Sequence, residues 1–271
     1  MRTVALGLDT SDLAEHYEQA SANRQFRLGV RLLERLALKP GETVLDIGCG
    51  TGQLSEYAAL QVRPDGAVVG IDPLALRIEL AQKRENANLR FSVGDALDLA
   101  PLSDSSFDVA VLNVVFHWLP DRQKALREIF RVLRPGGRLA ISTMAADIQT
   151  EVRELKAKVF AQPQFSAYAS PQDGPPFPIS CNDLRELLSA AGFAVLSLDL
   201  EANAQVHSSP EAAIAFHEAS AFGNFLGQMP AELHAAAKAC LAAELSALQT
   251  PDGNIVVRNG LILASAQKIS G

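Results

Sequence analysis

The run Val44-Leu45-Asp46-Ile47-Gly48-Cys49-Gly50-Thr51-Gly52 constrains this chain more than any other stretch. Val44 to Ile47 read as a buried strand. Three glycines at alternate positions follow, and a helix pattern then begins. A strand, a tight backbone turn and a helix N-terminus within about ten residues bring main-chain N–H groups close to a ligand. Such a turn belongs to a cofactor of the nucleotide type. The dinucleotide fingerprint G-x-G-x-x-G, laid on from Gly48, requires glycine or alanine at position 53, where the chain has Gln53. No lysine follows the glycines, which excludes a P-loop. The pattern present is D-x-G-x-G-x-G. Asp46, on the strand just before the turn, repels a pyrophosphate but suits a ligand that carries an ammonium or sulfonium.

Further segments fall in a fixed order after the first. Val68-Val69-Gly70-Ile71-Asp72-Pro73 reads as a second strand, with its acidic end 20 residues after Gly52. Val93-Gly94-Asp95-Ala96 follows, then the strand Phe107-Asp108-Val109-Ala110-Val111-Leu112-Asn113, then the turn and strand Leu133-Arg134-Pro135-Gly136-Gly137-Arg138-Leu139-Ala140-Ile141. Over roughly residues 30 to 145 these pieces resemble the class I S-adenosylmethionine-dependent methyltransferases, with Asp46 to Gly52 similar to their motif I. The resemblance extends to small-molecule enzymes of the ubiquinone/menaquinone, trans-aconitate and malonyl-carrier types. It implies S-adenosylmethionine as cofactor and S-adenosylhomocysteine as product. It implies cofactor contacts at Asp46, Gly48, Cys49, Gly50, Gly52 and Gln53, and at Asp72 and Pro73, whose carboxylate would take the ribose hydroxyls. Asp95 and Ala96 would hold the adenine edge, and Asn113 and Val114 would give a backbone contact to the methionine part. Leu74 has an adenine-facing role or a core role. Tyr17, in a leading helical segment, closes over the cofactor in many relatives or is a half-buried helix residue. Asp46, Asp72, Asp95 and Asn113 also lie at strand carboxyl ends, where open α/β sheets bind ligands.

The alternation of helix and strand to residue 143 implies a doubly wound α/β fold. The expected sheet is seven-stranded and mostly parallel, of the Rossmann-like methyltransferase type. Residues 12 to 38 read as helix, ended at Lys39-Pro40-Gly41. The crossover helices are expected at Gln53 to Gln61, Leu74 to Asn86 and Asp121 to Leu133. After Thr143 the pattern changes: a charged helix from Asp147 to Phe160, a proline-rich loop over 162–180, a helix from Asp183 to Ala190 and a strand from Phe193 to Leu200. The next strand candidates, Asn254 to Val257 and Leu261 to Ala266, come more than 50 residues later, behind helices near 210–222 and 231–248. A single domain over 1–271 is expected, with residues 1–38 as an N-terminal helical segment and 39–145 as the cofactor-binding core. Residues 183–201 and 253–271 complete the sheet. Residues 146–182 and 202–252 are additions, read as a helical cap over the acceptor pocket or as helices padding a sheet face.

Hydrophobic residues make up 48 % of the 271, which provides for a sizeable core. The formal net charge of −7 argues against nucleic acid and against anionic membrane surfaces. Val4 to Leu8 is too short for a signal-peptide core, and no run approaches the 18 apolar residues of a spanning helix. Three cysteines without paired spacing fit a reducing compartment, so a cytoplasmic protein is expected. They form no compact cluster for a soft metalloid such as arsenite, and no His, Cys and carboxylate grouping has metal spacing. No metal is expected.

On the acceptor side, Phe116-His117-Trp118-Leu119 follows the fourth strand. A similar aromatic pair occurs in relatives that methylate carboxylic acids. His117 is the one catalytic candidate, as hydrogen-bond donor to a carboxylate or as base; the other reading is a polar helix-start residue. His207, His217 and His234 lie in the cap and take no role, although His217 follows Phe216 on an apolar helix. Phe222, Phe225 and Leu226, with Gly223, line an apolar acceptor site or pack a core. Methyl transfer needs in-line placement and exclusion of water more than a base. The expected activity is O-methylation of a carboxylate or hydroxyl on a small molecule. The alternatives are C-methylation of a quinone- or polyketide-like ring and a non-catalytic S-adenosylmethionine-binding protein. A nicotinamide dehydrogenase is disfavoured by Gln53 and Asp46.

Overall fold

The computed structural model describes residues 22–148, 151–168, 176–218, 226 and 229–269. Tyr17, Phe222, Gly223 and Phe225 lie outside the described residues. Helix α1 (Ala22–Leu36) leads into β1 (Thr43–Ile47), α2 (Gln53–Gln61), β2 (Ala67–Asp72), α3 (Ala75–Gln82), β3 (Leu89–Val93) and β4 (Phe107–Asn113). A single 3-10 turn (Phe116–Trp118) precedes α4 (Arg122–Val132), which runs directly into β5 (Leu133–Ala145). There follow α5 (Glu151–Phe160), α6 (Cys181–Ala190), β6 (Phe193–His207), α7 (Pro210–Glu218), α8 (Ala231–Ser246) and β7 (Ile255–Lys268).

The seven strands form one sheet in the order β3-β2-β1-β4-β5-β7-β6. Strands β1 to β5 pair in parallel, and β7 is antiparallel to both of its neighbours. The order reverses at β1, with β2 on one side and β4 on the other. A doubly wound sheet opens its ligand crevice there, beyond the strands' carboxyl ends. The inner strands are covered on both faces, and their sequences accordingly read as unbroken apolar runs. Val44, Leu45, Ile47 and Val109 to Leu112 are all buried. Leu32, Leu33 and Leu36 of α1, spaced for one helix face, close one side of the sheet. Ile129 and Leu126 of α4 pack on the other.

The structure departs from the sequence expectation at several element ends. Helix α3 stops at Gln82 instead of Asn86. The Asn86 side chain accepts the Asn88 N–H at 3.1 Å, a local turn that competes with helix. Helix α5 begins at Glu151 rather than Asp147, whose carboxylate accepts the Cys181 N–H at 3.0 Å. The proline-rich stretch holds a 3-10 turn at Ser166–Tyr168, and Ile179 pairs with the end of β5 through Met144 and Ala146.

The two late strand candidates are one continuous strand, β7, and β6 runs to His207, seven residues beyond Leu200. The stretch 202–207, read from sequence as the start of an insertion, is therefore sheet. Pairing of β5 with β7 ends at Ala145 opposite Gly260, whereas β6 and β7 stay paired to His207 opposite Ile255. The β6–β7 hairpin thus projects past the carboxyl ends of the parallel strands. A third apolar cluster forms on that projection, joining Val159 and Phe160 of α5, Ile214 of α7, Leu241 of α8 and Ile255 of β7. Sequence period alone could not reveal a hairpin that outgrows its own sheet.

Candidate functional site

A cleft opens at the reversal point, lined by Gln25, Phe26, Asp46, Gly48, Cys49, Gly50, Thr51, Gln53, Leu54 and Asn113. Its floor is the glycine turn. Gly48, Gly50 and Gly52 have φ of 74°, 56° and 85°, the left-handed region that side chains disfavour. At Gly48 space forbids a side chain as well, because a Cβ there would lie 2.3 Å from Val115. The turn is pinned to β2, with the Gly48 and Cys49 N–H groups donating to the Ile71 carbonyl at 2.7 and 3.0 Å. Helix α2 then starts at Gly52, which has no side chain to cap it. An uncapped helix N-terminus suits an anionic group.

The Asp46 carboxylate sits at the carboxyl end of β1, 2 % exposed, and accepts the Ser55 hydroxyl at 2.6 Å. Desolvation raises its pKa to about 6, against the Ser55 hydrogen bond, and the charge of Asp72 adds to the rise. Desolvation, with Asp46 and Asp72 nearby, pushes the Cys49 thiol well above its usual value, so it stays protonated. Asp72 is buried and reaches both sides of its strand end: Oδ2 accepts the Gly50 N–H at 3.0 Å and Oδ1 the Leu74 N–H at 2.9 Å. It therefore braces the glycine turn. Leu74 itself is buried. Asp95 is exposed, and its Oδ1 accepts the Leu97 N–H at 2.9 Å, while the Ala96 methyl points into the core. Asp72, Pro73, Asp95 and Ala96 stand at the ends of β2 and β3, beside the cleft rather than among its lining residues.

Asn113 lies on the cleft wall with its side chain engaged at both ends. Its Nδ2 donates to the Gln25 carbonyl at 2.9 Å and its Oδ1 accepts the Ser142 hydroxyl at 2.8 Å. Val114 has φ of 62°, rare for a β-branched residue and costing of order 1–3 kcal/mol. Strain of that kind gathers at functional sites.

His117 is 1 % exposed and does not line the cleft. Its Nδ1 lies 3.4 Å from the donating Met144 N–H and 3.3 Å from the Thr143 hydroxyl. Burial, and then the Arg122 cation, lower its pKa to about 3. The ring is neutral at physiological pH and ties the turn after β4 to the end of β5. Arg122 stands over the Phe116 ring at 5.4 Å and donates to the Phe116 and Phe177 carbonyls, holding segment 176–180 in place. The His234 ring sits 2.8 Å from the Met229 carbonyl within the third cluster, and Leu226 is buried there. His207 lies 5.3 Å from the Phe216 ring and 6.5 Å from His217, away from the cleft lining.

Sequence reasoning missed Gln25, Phe26, Thr51 and Leu54 in the lining, and Ser55 and Ser142 behind it. One signal was available for α1: Gly29, in the middle of a helix, where a Cβ would meet Leu54 at 2.6 Å and Asn113 at 3.0 Å. A mid-helix glycine marks close packing.

The methyltransferase domain family matches residues 38–192, more than half of the chain. The chain belongs to the class I S-adenosylmethionine-dependent methyltransferases. Relatives in that family include an arsenite methyltransferase of Halobacterium salinarum, 35 % identical over 60 % of this chain and 40 % of its own length. A demethylmenaquinone methyltransferase of Lactobacillus johnsonii is 36 % identical over 48 % of this chain and 56 % of its own. An O-methyltransferase of Pyrenophora dematioidea is 35 % identical over 63 % of this chain and 61 % of its own. The chain thus spans less than two thirds of the length of these relatives. The fold is shared with the crystal structure of a Bacillus halodurans protein, with a TM-score of 0.62 at 19 % identity over 89 % of this chain and 99 % of that one.

The family cofactor, S-adenosylmethionine, carries a sulfonium and an ammonium beside one carboxylate. The cleft fits that charge pattern, with a buried carboxylate at one wall and an uncapped helix start at another. Among the described residues no group of three His, Cys, Asp or Glu side chains could hold a metal ion, and Cys49, Cys181 and Cys240 are separate free thiols. No helix among them is long and apolar enough to cross a membrane.

Proposed function

We propose that this protein binds S-adenosylmethionine in the cleft at β1 and moves its methyl group to a small-molecule acceptor, with O-methylation of a carboxylate or an acidic hydroxyl as the reaction. The observation that carries the reading is Asp46: a desolvated carboxylate beside glycine N–H groups, kept at an energetic cost that a bound cation would offset. When bound, the cofactor supplies a methyl group on a good sulfonium leaving group. The chain's own residues then have to hold and shield it. Asp46 faces the positive end, the start of α2 offers N–H groups, and Asp72, which braces the glycine turn, is the carboxylate assigned to the ribose hydroxyls. Asp95 and the backbone at Ala96, just after β3, are the groups this reading assigns to the adenine edge. Val114 shapes the wall next to the methionine part, and Phe26 and Leu54 exclude water.

The weak basicity of His117 and its burial outside the cleft lining support an acceptor that needs no base. Its Nδ1 is committed to the end of β5, so it serves this reaction as a support or an Nε2–H donor. A carboxylate is already ionised at neutral pH. The projecting β6–β7 hairpin and its helices lie on the cleft's side of the sheet, which supports the reading of a cap that limits the acceptor to a small molecule. The name of the demethylmenaquinone relative favours a second reading, methylation of a quinone-type ring carbon.

Calorimetric titration with S-adenosylmethionine, followed by turnover on a panel of carboxylic acids, phenols and quinols, tests the proposal. Binding with methyl-ester or methyl-ether products supports it. Methylated ring carbon selects the second reading. Binding without turnover on the full panel points to a non-catalytic cofactor-binding protein, and absence of binding overturns the proposal.

A further inference from the structure

We infer that Ser142, which does not line the cleft, is a positioning residue that sets the cleft wall nearest the reacting end of the cofactor. The inference rests on the cofactor reading above. Ser142 sits on β5 opposite Asn113 on β4 and is fully buried. Its hydroxyl works in two directions. It accepts the Val114 N–H at 2.8 Å, alongside the Ser142 carbonyl, which accepts the same N–H at 3.1 Å. It donates to Asn113 Oδ1 at 2.8 Å, and Asn113 Nδ2 donates onward to the Gln25 carbonyl at 2.9 Å.

Two parts of the wall depend on this one hydroxyl. The first is the left-handed kink at Val114, which is strained for a β-branched residue and persists only where its surroundings over-determine it. The kink delivers Val115 against Gly48, leaving no room for a Cβ on the turn. The second is α1, whose Gln25 and Phe26 line the cleft and whose backbone is tied to Asn113. Removing the hydroxyl takes an acceptor from Val114 and a donor from Asn113 together. The Val114 N–H is then held by the Ser142 carbonyl alone, Asn113 Oδ1 loses its donor, and the wall loses its register with the glycine turn. A hydroxyl-bearing replacement keeps both bonds.

The test compares Ser142→Ala, Ser142→Thr and, as a control, Leu188→Val, which trims a buried α6 side chain in the apolar core. Calorimetric affinity for S-adenosylhomocysteine, thermal midpoint, and amide hydrogen exchange at Val114 in ligand-free protein are measured for each. We expect S142A to fold and to bind about tenfold more weakly or worse, with faster exchange at Val114. S142T should stay within about threefold of wild type, or, if the extra methyl prevents folding, S142A alone decides. L188V should lower the thermal midpoint with affinity unchanged within about twofold. Wild-type affinity in S142A, or an equal loss of affinity in L188V, overturns the inference. If the wild-type protein itself binds no S-adenosylhomocysteine, the cofactor reading fails instead. Exchange at Val114 then judges Ser142, and an unchanged rate in S142A overturns its positioning role.

Discussion

Asp46 and His117 are buried ionisable groups whose environments push them in opposite senses on the pH axis. Asp46 has its pKa raised to about 6 in the folded chain, so its favourable contribution is complete below the ordinary carboxylate value and is lost as pH rises through about 6. The shift corresponds to roughly 3 kcal/mol of strain at pH 7.5. Asp46→Asn keeps an acceptor for the Ser55 hydroxyl and removes the charge. It should raise the thermal midpoint at pH 7.5, with the gain shrinking toward pH 4, while S-adenosylmethionine affinity falls; differential scanning fluorimetry and calorimetry read the two effects. His117, lowered to about 3, behaves in reverse: its contribution is present above the ordinary imidazole value and is lost as pH falls from about 6.5 toward 3. Its ring resonances should not shift between pH 5 and 8 in an NMR titration. Asp72→Ala should weaken cofactor binding by about 1–3 kcal/mol and also speed amide exchange at Gly50, because the same carboxylate holds that N–H. Unchanged affinity would remove Asp72 from the ribose role. At this level the motif was legible for Asp46, Gly48, Gly50 and Gly52, since strand, turn and helix start are all local in the chain. The commitment of the His117 ring to Thr143 and Met144 was not, since 26 and 27 positions separate the partners.

Helix α4 shows how much a short segment can specify. Asp121 caps it by accepting the Lys124 N–H at 2.9 Å, and Leu126 and Ile129 supply its buried face. Asp121→Ala should cost about 0.5–2 kcal/mol of stability in denaturant unfolding with cofactor affinity unchanged, since the cap lies away from the cleft lining. The crossover helix α2 was legible to the residue, because Gly52 and the apolar positions after it mark its start. Helix α3 is shorter than its periodicity predicts, because the side chain of Asn86 decides its end through a turn that periodicity does not register. Strand β6 is longer than its own sequence predicts, for a different reason. Its last residues are strand through pairing with β7, some fifty positions downstream, and their own alternation is weak.

The assembled molecule joins a parallel sheet, whose crevice is set by strand order, to a hairpin platform with its own apolar cluster. A cofactor that binds only the folded chain should stabilise it by mass action: about 2.7 kcal/mol at a hundredfold excess over Kd, or several degrees in thermal midpoint for a chain of this size. S-adenosylhomocysteine should produce that shift in wild type and much less of it in Asp72→Ala; equal shifts in both would separate Asp72 from the site. The amino-acid order alone specified the doubly wound sheet, the glycine turn and the charge that the cleft presents. Those features follow from period, φ preference and residue chemistry within a few neighbouring positions. Packing settled which side chains meet. Gln25 reaches Asn113 across 88 positions and Ser142 reaches it across 29, and contacts that distant exist only once helices and strands have stacked. The same stacking neutralises His117, strains Val114 and carries the hairpin beyond the ends of the parallel strands, because burial and strand pairing are properties of the whole arrangement.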